Sequence, residues 1–293
     1  MSAAFLCRDV WKRYGATQAL RGVTVEFSKG LNVLIGPNGS GKSTLLRILT
    51  GLARPDKGYV ESLGMNPWKQ RDKLLKHIGV VFEGLSLPWW LSGREALELL
   101  AARHGPASFS SIREYAEMLG VTEYWDRSIR GYSMGMRKKL MLAAGFGLAE
   151  EALILDEPYT LLDASAMRLV DGLIYRFSKT MPVIVATHVI TTRVMMADEV
   201  VVLVGGAVTT VLPRTGKERG YICDVANRLD LFKSLAVPGV AEGVRYIAFD
   251  SEESRLIISL DNIDVEKLNG IRECSPGVTE LLRIEKYLRG QNA

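Results

Sequence analysis

Residues Gly36 to Thr44 read GPNGSGKST, between the apolar run LNVLI (Leu31–Ile35) and the helix-periodic KSTLLRILTGL. Gly36, Gly41, Lys42 and Ser43 fill the fixed places of G-x-x-x-x-G-K-[ST], a loop that leads from a buried strand into a helix. The glycines let backbone N–H groups turn inward around phosphates, and the helix N-terminus adds partial positive charge. All nine residues (Gly36, Pro37, Asn38, Gly39, Ser40, Gly41, Lys42, Ser43 and Thr44) are therefore expected to line a nucleotide's phosphates. Lys42 would reach the β- and γ-phosphates, and Ser43 would ligate Mg²⁺.

Short apolar runs alternate with helical segments on both sides of this loop. Phe5–Val10, Val23–Phe27 and Leu31–Ile35 read as strands, as do YVESL and HIGVVF further on. From about Leu91 to Tyr132 the character is helical, and alternation then resumes through MRKKLMLAAGFGLA, ALILDEP and PVIVATH. The pattern predicts an α/β fold whose sheet is mostly parallel and covered on both faces. ALILDEP puts Asp156 and Glu157 at the end of a buried strand. One acid there can hold the Mg²⁺ shell, and the other can polarise an attacking water. The other reading is a strand-to-helix turn whose acids cap the next helix. His188 ends a second such strand, where it can sense a γ-phosphate. Beyond about Arg214, VRYIAFD and RLIISLD predict a hairpin, and VTELLRIEKYLRG predicts a closing helix. The expected organisation is 1–213, with a helical insertion at about 85–135, followed by a small α+β domain at 214–293.

The chain of 293 residues is 47% hydrophobic and 24% charged, with a net charge of +4 spread along its length. That composition is ordinary for a globular protein and offers no electrostatic case for nucleic acid as the main ligand. Three cysteines, far apart and without CxxC spacing, suit a reducing compartment. The N-terminus lacks the apolar core of a signal peptide. Val200–Leu212 is too short to span a bilayer, which needs ~20 residues. A soluble chain is expected, one whose work at a membrane would need another polypeptide to supply the spans.

With the phosphate loop, the paired acids and the histidine in place, the sequence resembles the nucleotide-binding subunit of an ATP-binding cassette (ABC) transporter over roughly residues 3–210. The fold implied is a P-loop NTPase cassette. The most specific element is YSMGMRKKL (Tyr132–Leu140), standing where the family has LSGGQ. Ser133 and Gly135 are kept, Met134 replaces a glycine and Met136 the glutamine. The resemblance implies that Tyr14 stacks on adenine and that Glu157 is the catalytic base. It also implies that His188 is the switch histidine and that Asp163 lies in a loop crossing a dimer interface. Ser133 and Gly135 would face the γ-phosphate of ATP held by the opposite subunit, so two chains, expected to be identical, would sandwich two nucleotides head to tail. Arg137, Lys138 and Lys139 read as a solvated or interface face of the signature helix.

Glu83 stands where the family usually has glutamine, in a loop that contacts Mg²⁺ or the attacking water. Glutamate there, with the Ser-x-Gly-Met signature, is similar to exporter-type members. Pro88-Trp89-Trp90 falls where the family forms its groove for the membrane subunit. Trp89, Trp90 and Arg94 are the residue types favoured as interface anchors, although the tryptophans could equally pack within the insertion. The resemblance thus implies an ATPase with Mg²⁺ as its ion, peripheral at the cytoplasmic face of the membrane, driving export through a separate multi-span permease. The alternative is a soluble cassette ATPase acting on nucleic acid or ribosomes.

Overall fold

The computed structural model describes residues 3–84, 87–105, 108–188, 197–213, 220–224, 244–250, 255–260 and 271–274. The chain opens with strands β1 (Phe5–Tyr14), β2 (Thr17–Phe27) and β3 (Gly30–Ile35), followed by helix α1 (Lys42–Leu49). Then come β4 (Lys57–Ser62), the single turn α2 (Arg71–Leu74), β5 (Ile78–Val81), and the insertion helices α3 (Gly93–Ala102) and α4 (Ser108–Met118). Helix α5 (Met134–Gly147), β6 (Ala152–Asp156), α6 (Ala164–Ser178), β7 (Pro182–Thr187), β8 (Glu199–Val204) and β9 (Ala207–Pro213) complete this part.

The central sheet runs β5-β6-β7-β3-β8-β9, and its β5–β6, β6–β7, β7–β3 and β3–β8 pairs are all parallel. Every residue of β3, β6 and β7 is buried, which is why these strands read as unbroken apolar runs without alternation. The register aligns their carboxyl ends. Ile35 pairs with Thr187, Ala186 with Asp156, and Leu155 with Val81. The loops carrying the phosphate-loop glycines, the paired acids, His188 and Glu83 therefore leave the sheet along one edge, the edge where open α/β sheets bind ligands.

A second, antiparallel sheet has the order β2-β1-β4. Its first two strands are longer than the sequence pattern predicts, because bulges interrupt the alternation that would reveal them. The β1 register shifts between Cys7 and Val10 around Asp9, whose φ is +49°, and β2 carries Gly22 at φ +65°.

The two predicted hairpin strands appear as β11 (Val244–Asp250) and β12 (Arg255–Leu260), with β10 (Gly220–Asp224) and β13 (Ile271–Cys274) beside them. They form a separate antiparallel sheet of order β11-β12-β10-β13, in the compact unit that takes up the chain after Val211. The expected closing helix lies outside the described residues.

Helix α5 is seated closely enough that only glycine fits at several contacts. A Cβ on Gly145 would lie 2.4 Å from the Val81 side chain, and one on Gly147 would lie 2.4 Å from Cα of Ile112 in α4. Because that neighbour is backbone, Gly147→Ala should destabilise the fold by about 1–3 kcal/mol, the usual cost of overpacking. Urea unfolding checks this. An unchanged midpoint would mean that α4 can step aside.

Candidate functional site

The phosphate loop is built on close backbone approaches. A Cβ on Gly36 would lie 2.1 Å from the Leu203 carbonyl oxygen, and one on Gly41 would lie 2.5 Å from that of Ala19. Gly41 caps α1 at φ +105° with no side-chain capping bond. The first N–H groups of α1 are thus left for a ligand to satisfy. Gly206 N–H donates to the Ser40 carbonyl (3.0 Å), which ties the loop to the β8–β9 turn. Lys42 is buried, and its Nζ donates to the carbonyls of Gly36 (2.7 Å) and Pro37 (3.4 Å).

Asp156 and Glu157, next to this loop, have different surroundings. Asp156 is fully buried, and neither carboxylate oxygen has a hydrogen-bond donor at normal distance. Burial pushes its carboxyl up from the ordinary value. The Ser43 hydroxyl pulls it partly back, and the charges of Glu157 and Glu83 add to the rise. A buried acid held near a loop hydroxyl, with an exposed acid contributing to the field, fits a divalent cation that also rests on phosphates. Among the described residues no group of three or more His, Cys, Asp or Glu side chains makes a metal site by itself.

Glu157 is instead clamped on every side. Its N–H donates to the Ala186 carbonyl at 2.8 Å. Oε2 accepts from the Thr187 hydroxyl at 3.1 Å, and Oε1 lies 2.9 Å from Nδ1 of His188 and 3.6 Å from Nζ of Lys42. Its carbonyl accepts from Lys138 Nζ (2.7 Å) and the Thr160 hydroxyl (2.9 Å). The residue is buried with φ +48°. A non-glycine residue holds such a conformation where its surroundings over-determine it. Helix capping by these acids is excluded, since Asp163 caps α6 by accepting from Ala166 N–H at 2.8 Å.

Two residues of this clamp escaped the sequence reading. Thr187 closes an apolar strand with no local sign of a partner, and only the β6–β7 register brings it to Glu157. Lys138 contradicts the expectation of a solvated helix face. It is buried, with its ammonium turned onto the Asp156–Glu157 backbone. Burial lowers its pKa from the usual lysine value, partly offset by the charges of Glu83, Asp156 and Glu157.

The signature segment starts α5 with Ser133 as N-cap, its Oγ accepting from Met136 N–H at 3.1 Å. Ser133 and Met134 are exposed, so the methionine in place of a glycine costs no packing. Gly135 is retained for a visible reason, since a Cβ there would lie 2.8 Å from the Leu161 carbonyl oxygen. Lys139 pairs with Asp163 at 3.1 Å. The Ala166 N–H first and Lys139 second hold the Asp163 carboxyl below the usual range.

Tyr14 is exposed at the end of β1, with Lys12 Nζ 5.1 Å from its ring centroid. Trp89 and Trp90 are 56% and 65% exposed and meet edge to face at 5.5 Å, so neither is core. Their backbone is fixed nonetheless, because the Trp89 carbonyl accepts from the Ser128 hydroxyl and from Arg130 N–H, both at 3.0 Å. Arg94 has partners inside the insertion, with Nε 2.7 Å from Asp126 and its guanidinium 4.1 Å from the Trp125 ring centroid. No helix among the described residues is long and apolar enough to cross a membrane.

Residues 20–160 match the ABC transporter family model. An uncharacterized ABC transporter ATP-binding protein of Bacillus subtilis, YhcH, is 29% identical over 86% of this chain and 78% of its own length. The sn-glycerol-3-phosphate import ATP-binding protein UgpC 3 of Rhizobium johnstonii is 34% identical over 69% of this chain and 60% of its own. Among solved structures, the dimeric post-hydrolysis state of the ATP-binding cassette MJ0796, bound to ADP and Pi, superposes with a TM-score of 0.64. It is 25% identical and covers 72% of this chain and 99% of that one. An ATP-hydrolysing cassette is common to the geometry, the family model and these relatives, and residues 20–160 carry the ABC transporter ATPase domain.

Proposed function

We propose that this ATPase drives export through a separate multi-span permease, working as a head-to-tail homodimer at the cytoplasmic face of the membrane. The observation that carries the catalytic part is the clamped carboxylate of Glu157 beside the phosphate loop. In this reading Glu157 accepts a proton from the water whose oxygen attacks the γ-phosphorus, while the bond to the β–γ bridging oxygen breaks. Lys42, with its ammonium already facing Glu157 and the loop carbonyls, turns to the β- and γ-phosphates. His188, with Nδ1 2.9 Å from the same Oε1, completes the γ-phosphate contacts. Ser43 and Asp156, with Glu83 nearby, would hold Mg²⁺, which supplies charge neutralisation on the phosphate oxygens.

Tyr14 stacks on adenine from the exposed end of β1. Ser133 Oγ already accepts from its own helix and keeps its O–H free to donate, with Gly135 N–H, to ATP on the other copy. Asp163 sits one loop away, at the interface this arrangement creates. Closure on ATP and reopening after hydrolysis supply the two states between which the permease alternates. Export, rather than import, rests on the signature methionines and Glu83. The transporter names of the relatives weigh against a nucleic-acid role.

Purifying the tagged chain from its native membranes in mild detergent tests the partner. A multi-span protein at comparable stoichiometry is expected, whereas recovery only with ribosomes or nucleic acid would refute the transporter reading. For direction, ATP added to inverted vesicles should drive uptake of a screened compound. A requirement for a solute-binding protein inside those vesicles would overturn export.

Trp89 and Trp90 provide a separate check on the docking surface. Central aromatic anchors are worth 2 kcal/mol or more each, so replacing either with alanine should weaken permease association by roughly tenfold or more. ATP affinity should stay unchanged, because neither ring reaches the phosphate loop. Normal co-purification by both single variants would remove these residues from the interface.

A further inference from the structure

We infer that Lys138 is a positioning residue for Glu157, its buried ammonium holding the backbone from which that carboxylate is aimed. The inference rests on the reading of Glu157 as the general base. Glu157 sits at φ +48°, a conformation that a glutamate leaves unless it is held. Most of its holds come from its own strand-and-loop neighbourhood: Ala186 and Thr187 on β7, and Thr160 three residues on. Lys138 alone among these backbone holds comes from α5, and its Nζ–carbonyl distance of 2.7 Å is the shortest of them.

The same helix touches the same loop at two further points, Lys139 to the Asp163 carboxylate at 3.1 Å and Gly135 against the Leu161 carbonyl. Residues 135, 138 and 139 lie three and four apart, so all three links lie on one face of α5. That face joins the Ser133 end of the helix to the loop that carries Glu157. A shift of α5 when its N-terminus meets a phosphate is thereby passed to the carbonyl of the base. Lys138 itself is buried, and the hydrogen bonds of its ammonium go to the carbonyls of Asp156 and Glu157. Its effect on hydrolysis runs through the backbone of Glu157, where its shortest hydrogen bond ends.

The test compares Lys138→Met, which keeps the stem and removes the ammonium, with Lys138→Arg, which keeps a cationic donor, and with Glu157→Gln. All are full-length and assayed with MgATP. Lys138→Met should lower kcat about tenfold or more, since small misplacements of a catalytic group cost up to 10²-fold, with ATP affinity within about threefold of the parent. Lys138→Arg should recover most of the loss. A Lys138→Met kcat within twofold of the parent overturns the inference. So does an equal fall of kcat and affinity in both lysine variants, the mark of general structural damage. Should Lys138→Met fail to fold, Thr160→Val removes the other side-chain donor to the same carbonyl, and unchanged turnover there overturns the inference instead. A Glu157→Gln chain with full turnover would defeat the reading of the base, and this inference with it. An inactive Glu157→Gln beside a normal Lys138→Met would defeat the inference alone.

Discussion

Glu157→Gln should bind ATP about as well as the parent chain and hydrolyse it some 10²–10⁴-fold more slowly, the range that a positioned general base contributes. The amide has the same shape, and its oxygen can still accept from the Thr187 hydroxyl, now 3.1 Å from Oε2. What it cannot do is take the water's proton. The main-chain holds on residue 157 (Ala186, Lys138 and Thr160) involve no side-chain atom of the glutamate and survive the change. Nucleotide binding is therefore separable from chemistry in this variant. A second consequence concerns lifetime. If hydrolysis reopens the dimer, the variant should persist as a dimer with MgATP, visible by size-exclusion chromatography under conditions where the parent returns to monomer. Full steady-state turnover would remove Glu157 as the base, and loss of ATP binding would show that the carboxylate organises the phosphate loop as well.

The parts of this site legible in the sequence are those whose geometry is local. The phosphate loop is one continuous segment between a strand and a helix, and each glycine answers a local demand. Gly41 needs φ +105°, and Gly36 must let the Leu203 carbonyl approach. The acids at 156 and 157 are legible for a related reason, since charge at the end of an unbroken apolar run marks the carboxyl edge of a buried strand. The clamp around Glu157 was not legible. Thr187 lies 30 residues away in sequence, and Lys138 lies 19 residues away in the opposite direction. Nothing in RKK distinguishes a buried ammonium from two more exposed neighbours until α5 is packed.

The tryptophans show the same limit from the other side. Their sequence position allowed either burial within the insertion or a docking face, and only the packing decides. Arg94 has Trp125 and Asp126 as partners, while Trp89 and Trp90 stay at the surface on a backbone tied to Ser128 and Arg130. That tie matters for mechanism, because residues 128–130 lie just ahead of the signature Ser133. A partner pressing on the tryptophans would press on the segment that leads into α5.

Lys42→Ala should produce the largest loss of affinity. Its ammonium has the carbonyls of Gly36 and Pro37 and, at 3.6 Å, the carboxylate of Glu157 as partners. The side chain is therefore preorganised at the site, and little ordering entropy remains to be lost when phosphates arrive. Two charge-assisted bonds to the β- and γ-phosphates, at about 1.5–3 kcal/mol each, amount to roughly 10²–10⁴-fold in Kd. The rise in melting temperature that saturating MgATP gives the parent should shrink accordingly at equal nucleotide concentration. The ligand-free variant should also melt lower, since Glu157 is only 3% exposed and would lose its cationic neighbour in the phosphate loop. Calorimetric titration and thermal unfolding separate the two effects. Affinity within threefold of the parent would mean that the backbone donors of the loop hold the phosphates without Lys42. A lower ligand-free melting point with normal affinity would reduce the lysine to a counter-ion for Glu157.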